Sequence, residues 1–340
     1  MAKYRDYLPQ IDGDFFTDGG LETILVFHDG IDLPHSAAFD LMKYKDGRQR
    51  LREYFDPYID IAREAGAGFI LESPTWRANT DWGRRLGYSA STLEDANRDA
   101  ITLMHDVRDA HEGSLPIVVS GCIGPRGDGY DPGDIMSPVE AETYHSPQIE
   151  AFADAGADMV TTITAANMTE ANGIISAATK VNMPAAISFN VETDGHLPTG
   201  QSLWDAIASV EIATNEAAAN FMINCAHPTH FQDTLKRGGT SLGRLRGLRA
   251  NASCLSHEEL DIGNPQELGH QHDHLLSDFP HINILGGMLR DGSPSFGRNS
   301  KSRSGKIQDS GVPFNRAQRS GAKAYRVSTK RLLATKTACN

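Results

Sequence analysis

Cysteines and long apolar runs are both scarce in this sequence of 340 residues. The four cysteines, Cys122, Cys225, Cys254 and Cys339, have irregular spacing. That spacing excludes the disulfide framework of a small secreted domain and favours free thiols in a reducing compartment. No apolar run approaches the roughly 20 residues that a membrane helix needs, and the N-terminal MAKYRDYLPQ is polar. We therefore expect a cytoplasmic protein without a membrane partner.

Basic residues are scarce in the first 287 residues, which carry 20 Lys and Arg against 42 Asp and Glu. Nucleic-acid-binding domains need basic surface, so this acidic part argues against a nucleic-acid partner. Residues 288–340 are different, with 12 Lys and Arg, two Asp and few large apolar residues, a composition typical of disordered segments. The sequence therefore predicts a globular domain over residues 1–287 and an aberrant basic C-terminal segment over residues 288–340.

Short β-rich segments and helical patterns alternate along the first 287 residues. Several of the β-rich segments are apolar without alternation, as is typical of buried parallel strands. The eight predicted strands are Phe15–Gly20, Ala67–Ser73, Pro116–Gly124, Asp158–Thr164, Ala185–Val191, Phe221–Ala226, Gly247–Ser253 and Ile282–Gly287. Helical periodicity is found over Arg50–Ala65, Leu93–Ala110, Pro138–Ala155, Met168–Val181 and Leu203–Asn215.

Eight strands with helical segments between them predict a (β/α)8 TIM barrel, which takes about 250 residues. Gly66 and Gly156 separate a helical pattern from the next strand, where glycine serves as a helix C-cap. The alternative is an open doubly wound sheet. That fold normally has a G-x-G-x-x-G turn after its first strand, and DGGLET is not such a turn.

Polar residues end many of the predicted strands, and in a barrel these ends form the active site. They are Asp18, Glu72, Cys122, Thr164, Glu192, Cys225 and Asn251, with Gly286-Gly287 at the last strand. Asp18 either caps a tight turn or contacts a ligand that the neighbouring glycines allow to approach the backbone. The sequence leaves both interpretations of Asp18 open.

Cys225 lies in the segment NCAHPTH together with His227 and His230. A free cysteine is often a small buried hydrophobic residue, but its place at a barrel mouth beside two histidines favours a thiolate ligand or a nucleophile. Three ligands so close on a turn with proline are a poor zinc site by themselves, so we expect a shared site.

Three other groups of residues receive structural interpretations. The glycine-rich loop 121–129 lacks the Lys-Ser/Thr of a phosphate-binding loop and is expected to line the mouth. Cys254 is expected to serve in packing. The histidines of HQHDH, namely His270, His272 and His274, are interpreted as part of a solvated helix surface.

Five motifs together resemble the zinc-dependent homocysteine S-methyltransferases, which include betaine- and S-methylmethionine-using members. The motifs are TDGGLET, SGCIGPRGDGY, SFNVETDGHLPTGQSL, FMINCAHPTHF and NILGG, and the resemblance covers residues 14–287. It implies a (β/α)8 barrel that transfers a methyl group from a sulfonium or ammonium donor to homocysteine, forming methionine. It also implies zinc bound by three cysteines, one of which corresponds to Cys225, and an aspartate contact to homocysteine that corresponds to Asp18.

The sequence departs from this family in two places. The other two zinc cysteines of the family follow the Gly-Gly of strand eight, where this chain has Met288 and Leu289. A family glutamate near the end of strand four corresponds to Ile163, and we expect Glu72 or Glu192 to replace it in substrate binding. Fully ligated structural zinc contributes roughly 10–16 kcal/mol. A chain with one of three thiolates should therefore bind zinc weakly and have little activity.

A shifted reading frame accounts for the missing cysteines. Methionine has the single codon ATG and every leucine codon begins with C or T, so reading one base later across Met288-Leu289 gives a cysteine codon. With allowed codon choices, MLRDGSPSFGRNSKSRSGKIQ becomes CCGTDHRHLEEIAKVAQEKY, which contains the two cysteines and an amphipathic helix. We hypothesise that residues 288–340 are a frameshifted translation, which the coding DNA tests.

Two other classes of function remain open from the sequence. One is a hydrolase or lyase barrel with Cys225 as nucleophile and His227 or His230 as base. The other is a non-enzymatic protein whose basic tail contacts nucleic acid. The methyl donor, the true acceptor and the oligomeric state are not determined by the sequence.

Overall fold

The computed structural model of the chain describes residues 2–8, 13–111, 113, 115–255 and 264–288. Its centre is a closed barrel of eight parallel strands in chain order, in which the last strand pairs with the first. The (β/α)8 barrel predicted from the sequence is thereby confirmed. The strands are β1 (Phe15–Phe16), β2 (Gly68–Glu72), β3 (Ile117–Ile123), β4 (Met159–Ala165), β5 (Ala185–Asn190), β6 (Asn220–Asn224), β7 (Leu245–Asn251) and β8 (Ile284–Met288).

Helices lie between successive strands of the barrel. They are α1 (Leu21–Thr23), α2 (Lys45–Ala65), α3 (Thr80–Arg85), α4 (Ala90–Ala110), α5 (Pro138–Asp154), α6 (Met168–Lys180), α7 (Leu203–Thr214), α8 (Pro228–Lys236) and α9 (Pro265–Asp278). Helix α1 continues into a single π-helical turn, Ile24–His28. Gly66 caps α2 with a left-handed φ of 69°, as predicted. No helix in the described part of the chain has the length and hydropathy that crossing a membrane requires.

The first and last strands differ in their bounds from the prediction. β1 ends at Phe16 rather than Gly20, because Thr17 and Asp18 already belong to the loop at the barrel mouth. β8 begins at Ile284 rather than Ile282 and includes both glycines. The proposed boundary between a barrel domain and a basic tail stays a prediction, since residues 289–340 lie outside the described residues.

Two layers of side chains fill the barrel. The lower layer is apolar and consists of Phe15, Ile70, Val118, Met159, Ala186, Met222 and Ile284. Residues two positions further along each strand point to the same side, and they form a polar upper layer. Its buried members are Thr17, Glu72, Ser120, Thr161, Ser188, Asn224 and Arg249. This polar layer is the floor on which a site at the carboxyl ends of the strands rests.

Gly286 makes room for this upper layer on β8. A Cβ atom at Gly286 would lie 2.0 Å from the Thr17 Oγ1 atom and 3.2 Å from the Arg249 Cγ atom. The space that a side chain on β8 would take is thus used by Thr17 and the long side chain of Arg249. A glycine at this position is a packing requirement of the barrel interior.

The N-terminal segment is fixed across the opposite, amino end of the barrel by Asp158, which is fully buried. The Asp158 Oδ1 atom accepts the backbone N–H groups of Lys3 and Tyr4. Its Oδ2 atom accepts the Val119 N–H at 2.9 Å and the Arg108 guanidinium at 3.4 Å. Both carboxylate oxygens are therefore satisfied by donors from three separate parts of the chain.

Candidate active site at the barrel mouth

A cavity of about 220 Å³ opens at the carboxyl ends of the strands. Side chains from strands β2, β4 and β7 and from the segments that follow β1 and β2 line it, and they include Asp18, Glu22, Glu72, Trp76, Ile163 and Arg249. This is the end of a barrel where catalytic sites form. Three acidic residues and one guanidinium in a single small cavity make its charge balance the first question.

Asp18 is paired with Arg249 across the closure of the barrel. The Arg249 Nη2 atom donates to Asp18 Oδ1 at 2.8 Å, and the Tyr54 hydroxyl donates to Asp18 Oδ2 at 2.8 Å. Arg249 also hydrogen-bonds the Thr17 hydroxyl. Burial by itself lowers the pKa of Arg249, but the charges of Asp18 and Glu72 raise it above its usual value. Both oxygens of Asp18 thus have partners within the protein.

Glu72 lies in the same polar layer, 5% exposed, and has no such partner. Neither of its carboxylate oxygens forms a hydrogen bond with any residue that the structure describes. Burial raises the pKa of Glu72 to about 7, whereas the Arg249 charge and the Ser120 and Thr161 hydroxyls favour its ionised form. Those two hydroxyls hydrogen-bond each other at 2.8 Å.

Glu22 contributes a second carboxyl group with an altered pKa. Burial raises its pKa to about 7, and the neighbouring charge of Asp18 acts in the same direction. Its own backbone and the charges of Arg77 and Arg249 oppose this shift. The cavity therefore contains two carboxyl groups whose pKa values burial raises to about 7.

Part of the cavity lining is apolar. Thr164 has a positive φ of 63° within a register shift of β4, a conformation that is an outlier for a β-branched residue. The Trp76 indole donates to the Thr164 hydroxyl at 3.0 Å, and Ile163 and Trp76 both line the cavity. The isoleucine of the shifted strand and the indole that donates to its neighbour both lie at the mouth.

Arg77 connects the loops after β2 and β3. Its guanidinium lies 4.0 Å from the ring centroids of both Trp76 and Trp82 and donates to the Gly127 carbonyl at 2.9 Å. Gly124 permits a close approach here, because a Cβ atom there would lie 2.2 Å from the Trp76 carbonyl. The loop that includes residues 124–130 is therefore fixed at the mouth, as the sequence predicted for this glycine-rich segment.

Cys225 follows β6 in a left-handed conformation with a φ of 57° and is buried. The Asn224 amide donates to the Cys225 Sγ atom at 2.6 Å, and Ser188 donates to Asn224 at 3.1 Å. The Tyr130 hydroxyl also hydrogen-bonds the thiol. Burial raises the pKa of Cys225 to about 11, although these two hydrogen bonds oppose the shift. Without a metal, the thiol stays protonated near neutral pH.

The two histidines beside Cys225 are directed towards other partners. His227 Nδ1 is 2.8 Å from the Thr229 hydroxyl, and His230 Nε2 is 2.9 Å from the Cys254 carbonyl. Burial lowers the pKa of His227 to about 4. A Cys-His nucleophile needs the imidazole hydrogen-bonded to the thiol, so these contacts do not favour the hydrolase or lyase alternative.

Position 272 corrects one sequence interpretation. His270 and His274 are exposed on α9 as expected, but His272 is buried and its Nδ1 atom lies 2.9 Å from the Leu268 carbonyl. Leu268, His272 and Leu275 are spaced i, i+4 and i+7, which places all three on one helix face. His272 is therefore part of the packed face of α9.

A sequence model of the family described as homocysteine S-methyltransferase matches residues 15–288, which is most of the chain. The chain belongs to the homocysteine S-methyltransferase family. The family suggested by the sequence motifs is thereby confirmed.

Individual members of the family share only limited sequence identity with this chain. The homocysteine S-methyltransferase of Escherichia coli K12 is 31% identical over 138 residues, which is 36% of this chain and 44% of that protein. The selenocysteine Se-methyltransferase of Brassica oleracea var. italica is 24% identical over 246 residues, 66% of this chain and 68% of that protein. The metallated form of the homocysteine methyltransferase MmuM from Escherichia coli matches with a TM-score of 0.67 and 19% identity, covering 88% of this chain and 99% of that chain. At that identity the last match shows the fold alone.

The residues of this chain at the family's three zinc-ligand positions do not form a three-thiolate zinc site. Among the described residues there is no group of three or more His, Cys, Asp or Glu that could hold a metal ion. At the two positions where the family has its other zinc cysteines this chain has Met288, the last residue of β8, and Leu289, which lies outside the described residues. Neither methionine nor leucine can supply a thiolate.

The site residues that were predicted from the sequence lie in different parts of the barrel mouth. Asp18 and Glu72 line the cavity, as does Cys122, whose pKa burial raises well above its usual value. Glu192 lies in the loop after β5, where its backbone N–H donates to the His196 carbonyl at 2.8 Å. Its charge acts on Tyr130 rather than on the carboxyl groups of the cavity. The roles given to Asp18, Glu72, Glu192 and Cys225 stay predictions.

Four residues of the site were not singled out from the sequence: Glu22, Trp76, Tyr130 and Arg249. Glu22 and Tyr130 stand inside motifs that carried the family resemblance, so the motifs were the available signal. Arg249 is a charged residue in the interior of a predicted strand, two positions from Gly247 and Asn251, which indicates an inward direction. Trp76 gave no signal beyond its position shortly after β2.

Proposed function

We propose that this barrel transfers a methyl group from a sulfonium or ammonium donor to the thiol of homocysteine, with methionine as product. The observation that carries the proposal is the acidic cavity at the mouth of a barrel of this family, lined by Asp18, Glu22 and Glu72. We also propose that the present chain performs this reaction weakly or not at all, because it has one of the three thiolates that the family uses.

The charges of the cavity are suited to a cationic methyl donor. In the reaction the acceptor sulfur forms a bond to the methyl carbon, and the bond from that carbon to the donor heteroatom breaks. The electron pair of the broken bond stays on the donor, which loses its positive charge, and the acceptor thiol loses its proton. Glu22 supplies negative charge at the cavity for that donor.

The ionisation of the acceptor thiol is the step for which this chain is poorly equipped. A free thiol is only a few per cent thiolate at pH 7, so unassisted attack is slow. Metal coordination would deprotonate a thiol, but the residues present do not fit zinc, and we assign no zinc-dependent step to this chain. Our frameshift hypothesis places the two missing cysteines in the neighbouring reading frame.

The partners follow from the same proposal. They are a thiol amino acid and a small cationic methyl donor, with neither nucleic acid nor a membrane involved, and the reaction suits a cytoplasmic protein. One relative is named for selenocysteine, and Ile163 stands where the family has a glutamate. Selenocysteine is therefore a second acceptor to test beside homocysteine.

The test is a methyl-transfer assay on three proteins: this chain, the Met288→Cys/Leu289→Cys variant, and a chain translated from the restored frame. Each receives homocysteine or selenocysteine with S-methylmethionine, S-adenosylmethionine or betaine, and bound zinc is measured by elemental analysis. We expect stoichiometric zinc and methionine formation in the restored chain and neither in the present one. A zinc-loaded restored chain that methylates neither acceptor would overturn the function, and stoichiometric zinc in the present chain would overturn the predicted defect.

A further inference from the structure

Glu72 presents an unexplained carboxylate at the cavity. It is 5% exposed, it lines the cavity, and neither of its oxygens has a hydrogen-bond partner among the described residues. Buried polar groups in proteins are nearly always hydrogen-bonded, so an exception needs a reason. One reason is that the partner comes from a ligand.

The donors near Glu72 make other contacts in the structure. Ser120 and Thr161 hydrogen-bond each other at 2.8 Å, which uses one of their two hydroxyl hydrogens. Arg249 donates to Asp18 at 2.8 Å and to Thr17. Asp18 thus receives direct hydrogen bonds from Arg249 and Tyr54, whereas the charge of Arg249 acts on Glu72 without a hydrogen bond to either of its oxygens.

The hydrogen-bonding needs of Glu72 limit which ligand groups could pair with it. A carboxylate with two unpaired oxygens needs N–H or O–H donors, and a primary ammonium group offers three. A sulfonium or quaternary ammonium centre is positively charged but has no such donor. Glu72 is therefore matched to the α-ammonium group of an amino acid and not to the methyl-bearing centre of the donor.

We propose that Glu72 binds the α-ammonium group of the acceptor amino acid, an inference that rests on the proposed methyl transfer. It takes the contact that Asp18, bound to Arg249 and Tyr54, is not free to make. It also compensates for Ile163, which lines the cavity on β4 without a charge. Since the Glu72 oxygens are shielded from solvent, we expect the side chain to turn towards the cavity when the ligand binds.

The test measures binding to the full chain by ligand-observed NMR, without donor or metal. The probes are L-homocysteine and 4-mercaptobutyrate, which is the same molecule without its amino group. Glu72→Gln should weaken homocysteine binding by roughly ten- to hundredfold, the range for a hydrogen bond to a charged group, and should change 4-mercaptobutyrate binding little. An equal change for both probes, or no change for either, would overturn the assignment.

Two further variants separate Glu72 from its competitors. Glu192→Gln should leave the preference for homocysteine intact, and a selective loss there would give the ammonium contact to Glu192 instead. S-Methylmethionine also has an α-ammonium group, so its binding is measured as well. A loss confined to S-methylmethionine in Glu72→Gln would place the donor, rather than the acceptor, at Glu72 and overturn the proposal.

A rescue experiment moves the carboxylate across the cavity. In the Glu72→Gln background, Ile163→Glu should regain part of the homocysteine affinity, whereas the matched Ile163→Gln should not. Circular dichroism checks that each variant folds, and the single Glu72→Gln comparison stands if the double variants do not. Absence of rescue in a folded Ile163→Glu variant would count against a site for a single ammonium group.

This binding test is independent of the methyl-transfer assay. If the predicted binding pattern is found but the restored chain transfers no methyl group, the proposed function fails and an amino-acid site remains. If methyl transfer occurs and Glu72→Gln leaves the KM for homocysteine unchanged, the function stands and the role of Glu72 is refuted.

Discussion

Asp158 and Glu72 are buried carboxylates at opposite ends of the same barrel, and their surroundings are opposite too. Asp158 lies at the amino end of β4 and accepts hydrogen bonds from Lys3, Tyr4, Val119 and Arg108. Glu72 ends β2 at the mouth and accepts none from the described residues. Burial is almost the same, at 0% and 5% exposure. What differs is whether the protein itself supplies the donors.

This difference separates stability from binding in one fold. A satisfied buried carboxylate holds together the chain segments that donate to it. An unsatisfied one destabilises the folded protein, and a ligand that supplies the donors removes the cost. The amino end of a barrel commonly serves stability and the carboxyl end serves chemistry. Asp158 and Glu72 follow this division.

The largest effect is expected at the amino end. Asp158→Asn removes the charge that pairs with the buried Arg108 guanidinium and turns one acceptor into a donor that faces backbone N–H groups. Breaking such a buried network should lower the free energy of unfolding by roughly 3–5 kcal/mol. Urea denaturation followed by circular dichroism measures this change.

The control for Asp158 is Asp109, a second aspartate that pairs with the same arginine. Asp109 also faces Arg108, at 3.6 Å, but its side chain is 69% exposed. Asp109→Asn should change the unfolding free energy by no more than about 0.5 kcal/mol. If the two substitutions had similar effects, burial and hydrogen bonding at Asp158 would not distinguish the amino end.

At the mouth the corresponding substitution should have the opposite sign. The pKa of Glu72 is about 7 in the folded protein against an ordinary 4.5, so the folded state binds an extra proton between these pH values. Wild-type stability therefore falls as the pH rises from 4.5 through 7. Glu72→Gln, which cannot ionise, should be more stable than wild type by roughly 1–3 kcal/mol at pH 8 and nearly equal to it at pH 4.5.

The measurement is the difference in unfolding free energy between Glu72→Gln and wild type at several pH values. Glu22, whose pKa is also about 7, titrates in both proteins, so its contribution largely cancels in the difference. A difference that does not change with pH would mean that Glu72 is ionised normally and has a partner. The comparison with Asp158 would then lose its basis.

Much of this site was predictable because a barrel gathers the ends of its strands. Asp18 and Glu72 were predicted at the mouth from their positions after apolar segments, and both line the cavity. Arg249 was overlooked, because its pairing with Asp18 depends on closure of the sheet between β8 and β1. The two residues are 231 positions apart, and no local pattern connects them.

The unpaired state of Glu72 could not be predicted from the sequence at all. It depends on the hydrogen bond between Ser120 and Thr161 and on Arg249 donating to Asp18. These choices are made among side chains of different strands. His272 is the converse case, since the helical spacing of Leu268, His272 and Leu275 was a signal in the sequence that the prediction of a solvated surface overlooked.

The smallest expected effect tests whether Asp18, like Asp158 and unlike Glu72, is a carboxylate that the protein's own donors satisfy. Tyr54→Phe removes one of the two partners of Asp18 and leaves Arg249 in place. The free energy of unfolding should fall by about 1 kcal/mol, the usual net contribution of one hydrogen bond. The matched control is Tyr88→Phe, which removes a hydroxyl donating to Asp40 at 2.9 Å in a less buried position and should cost less. If Tyr54→Phe were neutral or stabilising, Asp18 would resemble Glu72, and the mouth would contain two carboxylates that await a ligand instead of one.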